Sequence, residues 1–140
     1  MFQLDFPDAE AHNEFLQLKA QLTNERRKVQ STMGMLTSLS QSSQRDQLTL
    51  NHLKAVAEAQ GSDTRTFRVV GRMYIETDMP TMQKSLEEAI EKSKHEVERL
   101  KETKASQEQS AVELEKLLHQ AIEKYKVDEG EDMSGATKTF

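Results

Sequence analysis

The sequence predicts a mainly α fold: a long antiparallel two-helix coiled coil, with a short helix and one β-hairpin at the bend. Three observations predict it. Apolar residues recur at alternating steps of three and four over two long stretches. Between them, "FRVVGRMYIETD" (residues 67–78) is the one segment of strand character. The composition is that of exposed helices, with 35% hydrophobic and 31% charged residues, a mean hydropathy of -0.78, and only five glycines and two prolines in 140 residues. So polar a chain of this length is expected to form one domain, 1–140, without a large private core.

The first helix is predicted over 8–45. Asp8 is placed to cap it, and the seam runs Phe15, Leu18, Leu22, Glu25, Val29, Thr32, Leu36, Leu39, six of eight apolar. The stripe then dissolves into "SQSSQRDQ" (residues 40–47), whose serines favour caps and turns, so a break is expected there. A short helix follows over 48–60, with Leu50, Leu53 and Ala57 on one face and Gly61 as its stop. "SDTRT" reads as a loop.

The hairpin is predicted over 66–77. Phe67, Val69 and Val70 lead into Gly71, and Met73, Tyr74 and Ile75 lead out of it. A two-residue turn at Gly71 and Arg72, with glycine first, suits a type II′ geometry. Asp78 is placed to cap the second helix, 79–126, with Pro80 tolerated in the first turn. Its seam runs Leu86, Ile90, Ser93, Val97, Leu100, Lys104, Gln107, Ala111, Leu114, Leu118, Ala121, Tyr125, nine of twelve apolar. At 1.5 Å per residue this helix is expected to reach roughly 70 Å. The tail, 127–140, is acidic, then small and polar, and reads as disordered.

Heptads alone do not specify orientation, and a parallel homodimer also covers such stripes. The hairpin favours the antiparallel arrangement because it reverses the chain. A two-stranded ribbon is marginal in water by itself, and alternation puts apolar side chains on both of its faces. Burying both requires another chain, so Phe67, Val69, Val70, Gly71, Met73, Tyr74 and Ile75 are read as a subunit interface.

Several classes of function find no support. With no cysteine, the chain offers no disulfide and no thiolate chemistry. Its net charge of -5 argues against nucleic acid as a partner. No apolar run approaches a membrane span, and the acidic start is unlike a signal peptide, so a soluble intracellular protein is expected. His12, His52, His95 and His119 include one-turn pairs with Glu91 and Glu123 but no second His nearby, and are read as solvated, with no metal. No phosphate loop, nucleophile or paired-carboxylate pocket is present, so no cofactor and no enzymatic activity are expected.

One apolar excess remains. Leu117 and Ile122 flank Leu114, Leu118, Ala121 and Tyr125, widening the stripe beyond a two-stranded seam. In the antiparallel arrangement Phe2, Leu4, Phe6, Phe15 and Leu18 come to the same end. These residues are read as a grip for exposed hydrophobic segments, or else as a local cap in which residues 2–6 fold over that end. Of the seven methionines, Met33, Met35, Met79 and Met82 are read as packing and Met73 as interface.

The order of elements, together with "VGRMYIETD" (residues 70–78), resembles a β-type prefoldin subunit over about residues 8–126. That resemblance implies a heterohexamer of two α-type and four β-type subunits, in which hairpins assemble into β-barrel heads and the coiled coils hang as arms. It implies capture of non-native actin and tubulin and delivery to the cytosolic group II chaperonin, without nucleotide. It also implies action in the cytoplasm, with the nucleus left open. A coiled-coil scaffold or tether that never holds unfolded chains is the alternative, against which the interrupting hairpin counts.

Overall fold

The computed structural model describes residues 3–61 and 63–127. The element order is α1 (Ala9–Gln60), β1 (Thr66–Val70), β2 (Met73–Thr77) and α2 (Met79–Tyr125). The tail from residue 128 onward, predicted to be disordered, lies outside the described residues, as does Phe2. The mainly helical fold, two long helices with an antiparallel hairpin between them, is as predicted.

The helix boundaries follow local chemistry. The Asp8 carboxylate accepts a hydrogen bond from the Ala11 amide at 2.8 Å, and its backbone carbonyl accepts one from the His12 amide. Asp78 does the same for α2. Its carboxylate accepts from the Thr81 amide at 3.3 Å and the Thr81 hydroxyl at 2.8 Å, while its carbonyl accepts from the Met82 amide. Each aspartate thereby satisfies donors that a helix start leaves without intrahelical partners. At the other end of α1, the Gly61 amide closes the last turn on the Ala57 carbonyl, and Gly61 itself turns to φ +93°. The chain can leave the helix there because glycine alone adopts such a φ cheaply.

The break predicted at residues 40–47 is not observed: α1 runs unbroken through them, and residues 48–60 are its last turns, not a separate helix. Serine costs a helix at most about 0.7 kcal/mol relative to alanine, and no glycine or proline stands among these residues. The seam also never loses its register. After Leu39 it continues through Ser43, Asp46, Leu50, Leu53 and Ala57 in alternating steps of four and three, every one of them buried or half-buried. Two one-turn hydrogen bonds hold the same stretch, Thr49 Oγ1 to the Arg45 carbonyl at 2.9 Å and Gln47 Nε2 to Asn51 Oδ1 at 3.1 Å.

The chain divides into two compact units. In the unit formed by residues up to Gln30 and from Ala105 on, α1 and α2 lie side by side. Phe15 and Leu18 share a cavity with Leu117, Ala121 and Tyr125, Arg26 reaches Glu115 at 3.8 Å, and Val29 shares a cavity with Ala111 and Val112. Rising numbers on α1 meet falling numbers on α2, so the pairing is antiparallel. In the unit Ser31–Lys104 the same order holds. Leu36 lines a cavity with Val97, and Lys54 meets Glu87 at 3.8 Å.

All eight predicted seam positions of α1 and all twelve of α2 are buried or half-buried. The buried members are Phe15, Leu22, Thr32, Ile90 and Leu100, joined by Leu50 farther along α1 and by Met79, 1% exposed, in the first turn of α2. That burial, more than helix propensity, stabilises helices of this length.

Candidate interaction surfaces

The hairpin pairs Thr66 with Thr77, Phe67 with Glu76, Arg68 with Ile75, Val69 with Tyr74 and Val70 with Met73. The turn is therefore Gly71 and Arg72. Gly71 has φ +62°, and among the described residues none other than glycine has a positive φ. A positive φ at the first turn position alone is the type II′ requirement rather than the I′ one.

Register fixes the two faces, because side chains alternate along each strand. Phe67, Val69, Tyr74 and Glu76 share one face. Arg68, Val70, Met73 and Ile75 share the other. All six large apolar residues are between 46% and 73% exposed, so neither face is covered by the rest of this unit. They are concentrated in one ten-residue ribbon, with large apolar side chains open on both faces.

The first face carries an ion pair that closes on itself. Arg65 donates through Nε to Glu76 Oε1 at 3.0 Å and through a terminal nitrogen to Oε2 at 3.1 Å, and its guanidinium lies 5.5 Å from the centre of the Phe67 ring. The Arg65 hydrogen bonds, then its charge, hold the Glu76 carboxyl below the usual carboxylate range, and the same contacts push Arg65 up. The Thr81 hydroxyl, followed by its amide, likewise holds Asp78 low. Arg68 and Arg72, by contrast, meet no acidic group among the described residues.

In the other unit, residues 3–5 run antiparallel to residues 125–127. Leu4 bridges Lys126, the Asp5 amide donates to the Tyr125 carbonyl at 2.9 Å, and the Val127 amide donates to the Gln3 carbonyl at 3.1 Å. This strap carries Phe6 into a ring cluster with His12, Phe15 and Tyr125, at centroid distances of 4.8, 5.2 and 5.1 Å. Leu4, Phe6, Leu18, Leu114, Leu118, Ile122 and Tyr125 are half-buried and Phe15 is buried, whereas Leu117 stays open. An adjoining cavity of about 220 Å³ is lined by Phe15, Leu18, Leu117, Ala121 and Tyr125 among others.

Two apolar residues of this unit were not singled out in the sequence, Leu16 and Val112. They are as exposed as Leu117. Each adjoins a seam residue, Phe15 or Ala111, without being one, and that offset is the signal by which they could have been found. Among the methionines, Met79 is fully covered and Met82 half-buried as packing residues, while Met33 and Met35 are exposed. His95 contacts Glu91 at 3.4 Å, and among the described residues no group of three or more His, Cys, Asp or Glu gathers as a metal set. Nor is any described helix long and apolar enough to cross a membrane.

Residues 13–125, which include both seams and the hairpin, match the family described as prefoldin subunit. The chain belongs to the prefoldin subunit family. No curated protein gives a significant match to it. Prefoldin is a family of non-enzymatic chaperones, and membership implies assembly with other prefoldin subunits.

Proposed function

We propose that this chain is a β-type prefoldin subunit, of the subunit 1 kind, in a heterohexamer of two α-type and four β-type subunits. The complex holds non-native polypeptides, actin and tubulin among them, and passes them to the group II chaperonin of the cytoplasm without using nucleotide. The observation that carries the assembly half of this reading is the hairpin, whose two faces both expose large apolar side chains. A tether built only of heptads has no use for such an element.

The client half rests on the unit that contains the strap. There, Leu117 borders the Phe15 and Leu18 cavity, Val112 lines another with Arg26 and Val29, and Leu16 adds further exposed apolar surface. Because Phe6 is engaged by three rings, the grip is assigned to these open residues more than to the strap. Each large side chain contributes at most about 1.5–3 kcal/mol when fully buried, so one chain holds weakly and releases readily. Several chains acting on one client raise the effective affinity without new contacts.

Reconstitution tests both halves. Mixed with the other prefoldin subunits, the full chain should yield a six-subunit particle by native mass spectrometry, and that particle should suppress aggregation of chemically denatured actin. Triple substitution of Leu16, Val112 and Leu117 by serine should leave the particle intact and weaken suppression several-fold. A stable homodimer indifferent to the other subunits would overturn the assembly reading. Undiminished suppression by the triple variant would overturn the client reading.

A further inference from the structure

The two faces of the hairpin differ in charge. On the face of Phe67, Val69 and Tyr74, the one arginine is already neutralised by Glu76 through two hydrogen bonds. On the face of Val70, Met73 and Ile75, Arg68 sits directly across from Ile75, and no described acidic group reaches it. No residue on that second face is acidic: the rest of it is threonine or apolar. From residue 65 to residue 77 the chain carries Arg65, Arg68 and Arg72 against Glu76, a local charge of 3 - 1 = +2 within a chain of net charge -5.

We propose that the Arg68 face docks a different polypeptide, whose apposed surface is apolar and places a carboxylate against Arg68, and that the same arginine prevents two copies of this chain from pairing through that face. The inference rests on the reading of the hairpin as the joint between subunits. It goes further by stating the chemistry of the neighbour. A guanidinium in the middle of an apolar face cannot be covered by a purely apolar surface without losing its hydration, so the covering surface must return a charge-assisted hydrogen bond. A second copy cannot do so. Its own Arg68 face offers a like charge and no acid, and its Glu76 is already held by Arg65. Attraction to one partner and repulsion of another by a single charge is how paired surfaces gain specificity.

The test uses the full chain titrated with the other prefoldin subunits, with assembly read by native mass spectrometry and sedimentation. Arg68→Glu should weaken entry into the particle at least tenfold, and Arg68→Gln should fall between it and the unaltered chain. Arg27→Glu makes the same change of net charge on α1 and should assemble normally. Alone, Arg68→Met should self-associate at least tenfold more strongly than the unaltered chain. Normal entry of Arg68→Glu, or equal weakening by Arg27→Glu, would overturn the acidic neighbour. Unchanged self-association of Arg68→Met would overturn the self-exclusion. Ile75→Asp separates this inference from the one beneath it. If Ile75→Asp enters the particle normally, the hairpin is not the joint at all. If Ile75→Asp is lost while Arg68→Glu enters normally, only the charge assignment is wrong.

Discussion

Arg65 and Glu76, eleven positions apart in the chain, meet in a two-point ion pair at 3.0 and 3.1 Å across the open end of the hairpin. Planar guanidinium and planar carboxylate match in this geometry, and the same guanidinium lies over Phe67. Beside them the Thr66 hydroxyl donates to the Thr77 carbonyl, and Asp78 caps the helix that follows. The end of the hairpin farthest from its turn is thus held by polar groups, in a ribbon whose apolar side chains remain open.

Acid should loosen that end first. Glu76 and Asp78 both titrate lower in the folded chain than in the unfolded one, Glu76 because of the Arg65 hydrogen bonds and Asp78 because of Thr81. The stability they supply is therefore complete above the ordinary carboxylate values of about 4 and is lost as pH falls through their lowered folded values. Amide protection factors across 66–77, taken relative to the intrinsic exchange rate at each pH, should be steady from neutral pH to about pH 5 and fall below about pH 4. In Glu76→Gln protection should already be lower at neutral pH, with a smaller further loss on acidification. The effect should be modest, because both partners are open to solvent.

Two glycines should respond to alanine with opposite signs. A Cβ on either Gly34 or Gly71 would meet nothing within 4 Å, so sterics between residues do not separate them. Gly34 lies inside α1, where alanine is the better helix former, and Gly34→Ala should stabilise by about 0.5–1 kcal/mol. Gly71 holds φ +62° at the turn, and Gly71→Ala should cost about 1–3 kcal/mol of hairpin stability. Thermal denaturation reads the first, and amide exchange at Val70 and Met73 reads the second.

Phe6→Ala should release the strap while leaving the helices in place. It removes three ring contacts, each contributing about 0.5–1.5 kcal/mol beyond burial. The amides of Asp5 and Val127, which bond across the strap, should lose protection at least tenfold. Those of β1 and β2 should keep theirs.

Asp46→Leu should stabilise α1 against α2. Asp46 occupies a seam position and is half-buried, where a carboxylate contributes less than an apolar side chain of similar size. Burying the leucine should add about 1–2 kcal/mol, seen as a higher melting temperature. A lower one would show that Asp46 satisfies a partner on which the seam depends.

Much of the fold was legible because its determinants act over a few residues. Asp8 and Asp78 cap because each stands three residues before an amide it can reach, Gly61 and Gly71 turn because only glycine adopts their φ cheaply, and a seam read every three or four residues needs no knowledge of what covers it. The break expected at residues 40–47 was misplaced because serine preference is a weak local term, while the register of Leu39, Leu50 and Leu53 continued across it. In the candidate surfaces, strand alternation revealed the two apolar faces of the hairpin, and only cross-strand register showed that Arg65 belongs to Glu76 and that Arg68 is left over.

By itself the sequence determined two seams, their caps and a ribbon with too much apolar surface for its size, since periodicity and turn chemistry are carried by neighbours along the chain. Tertiary structure decided which of those apolar residues remain open. The strap joins residues more than a hundred positions apart, so the sequence left a grip and a cap both open for residues 2–6, and only the fold shows Phe6 turned onto His12, Phe15 and Tyr125 while Leu16, Val112 and Leu117 stay exposed. Burial is a property of what packs against a side chain, and that is settled only when distant segments meet.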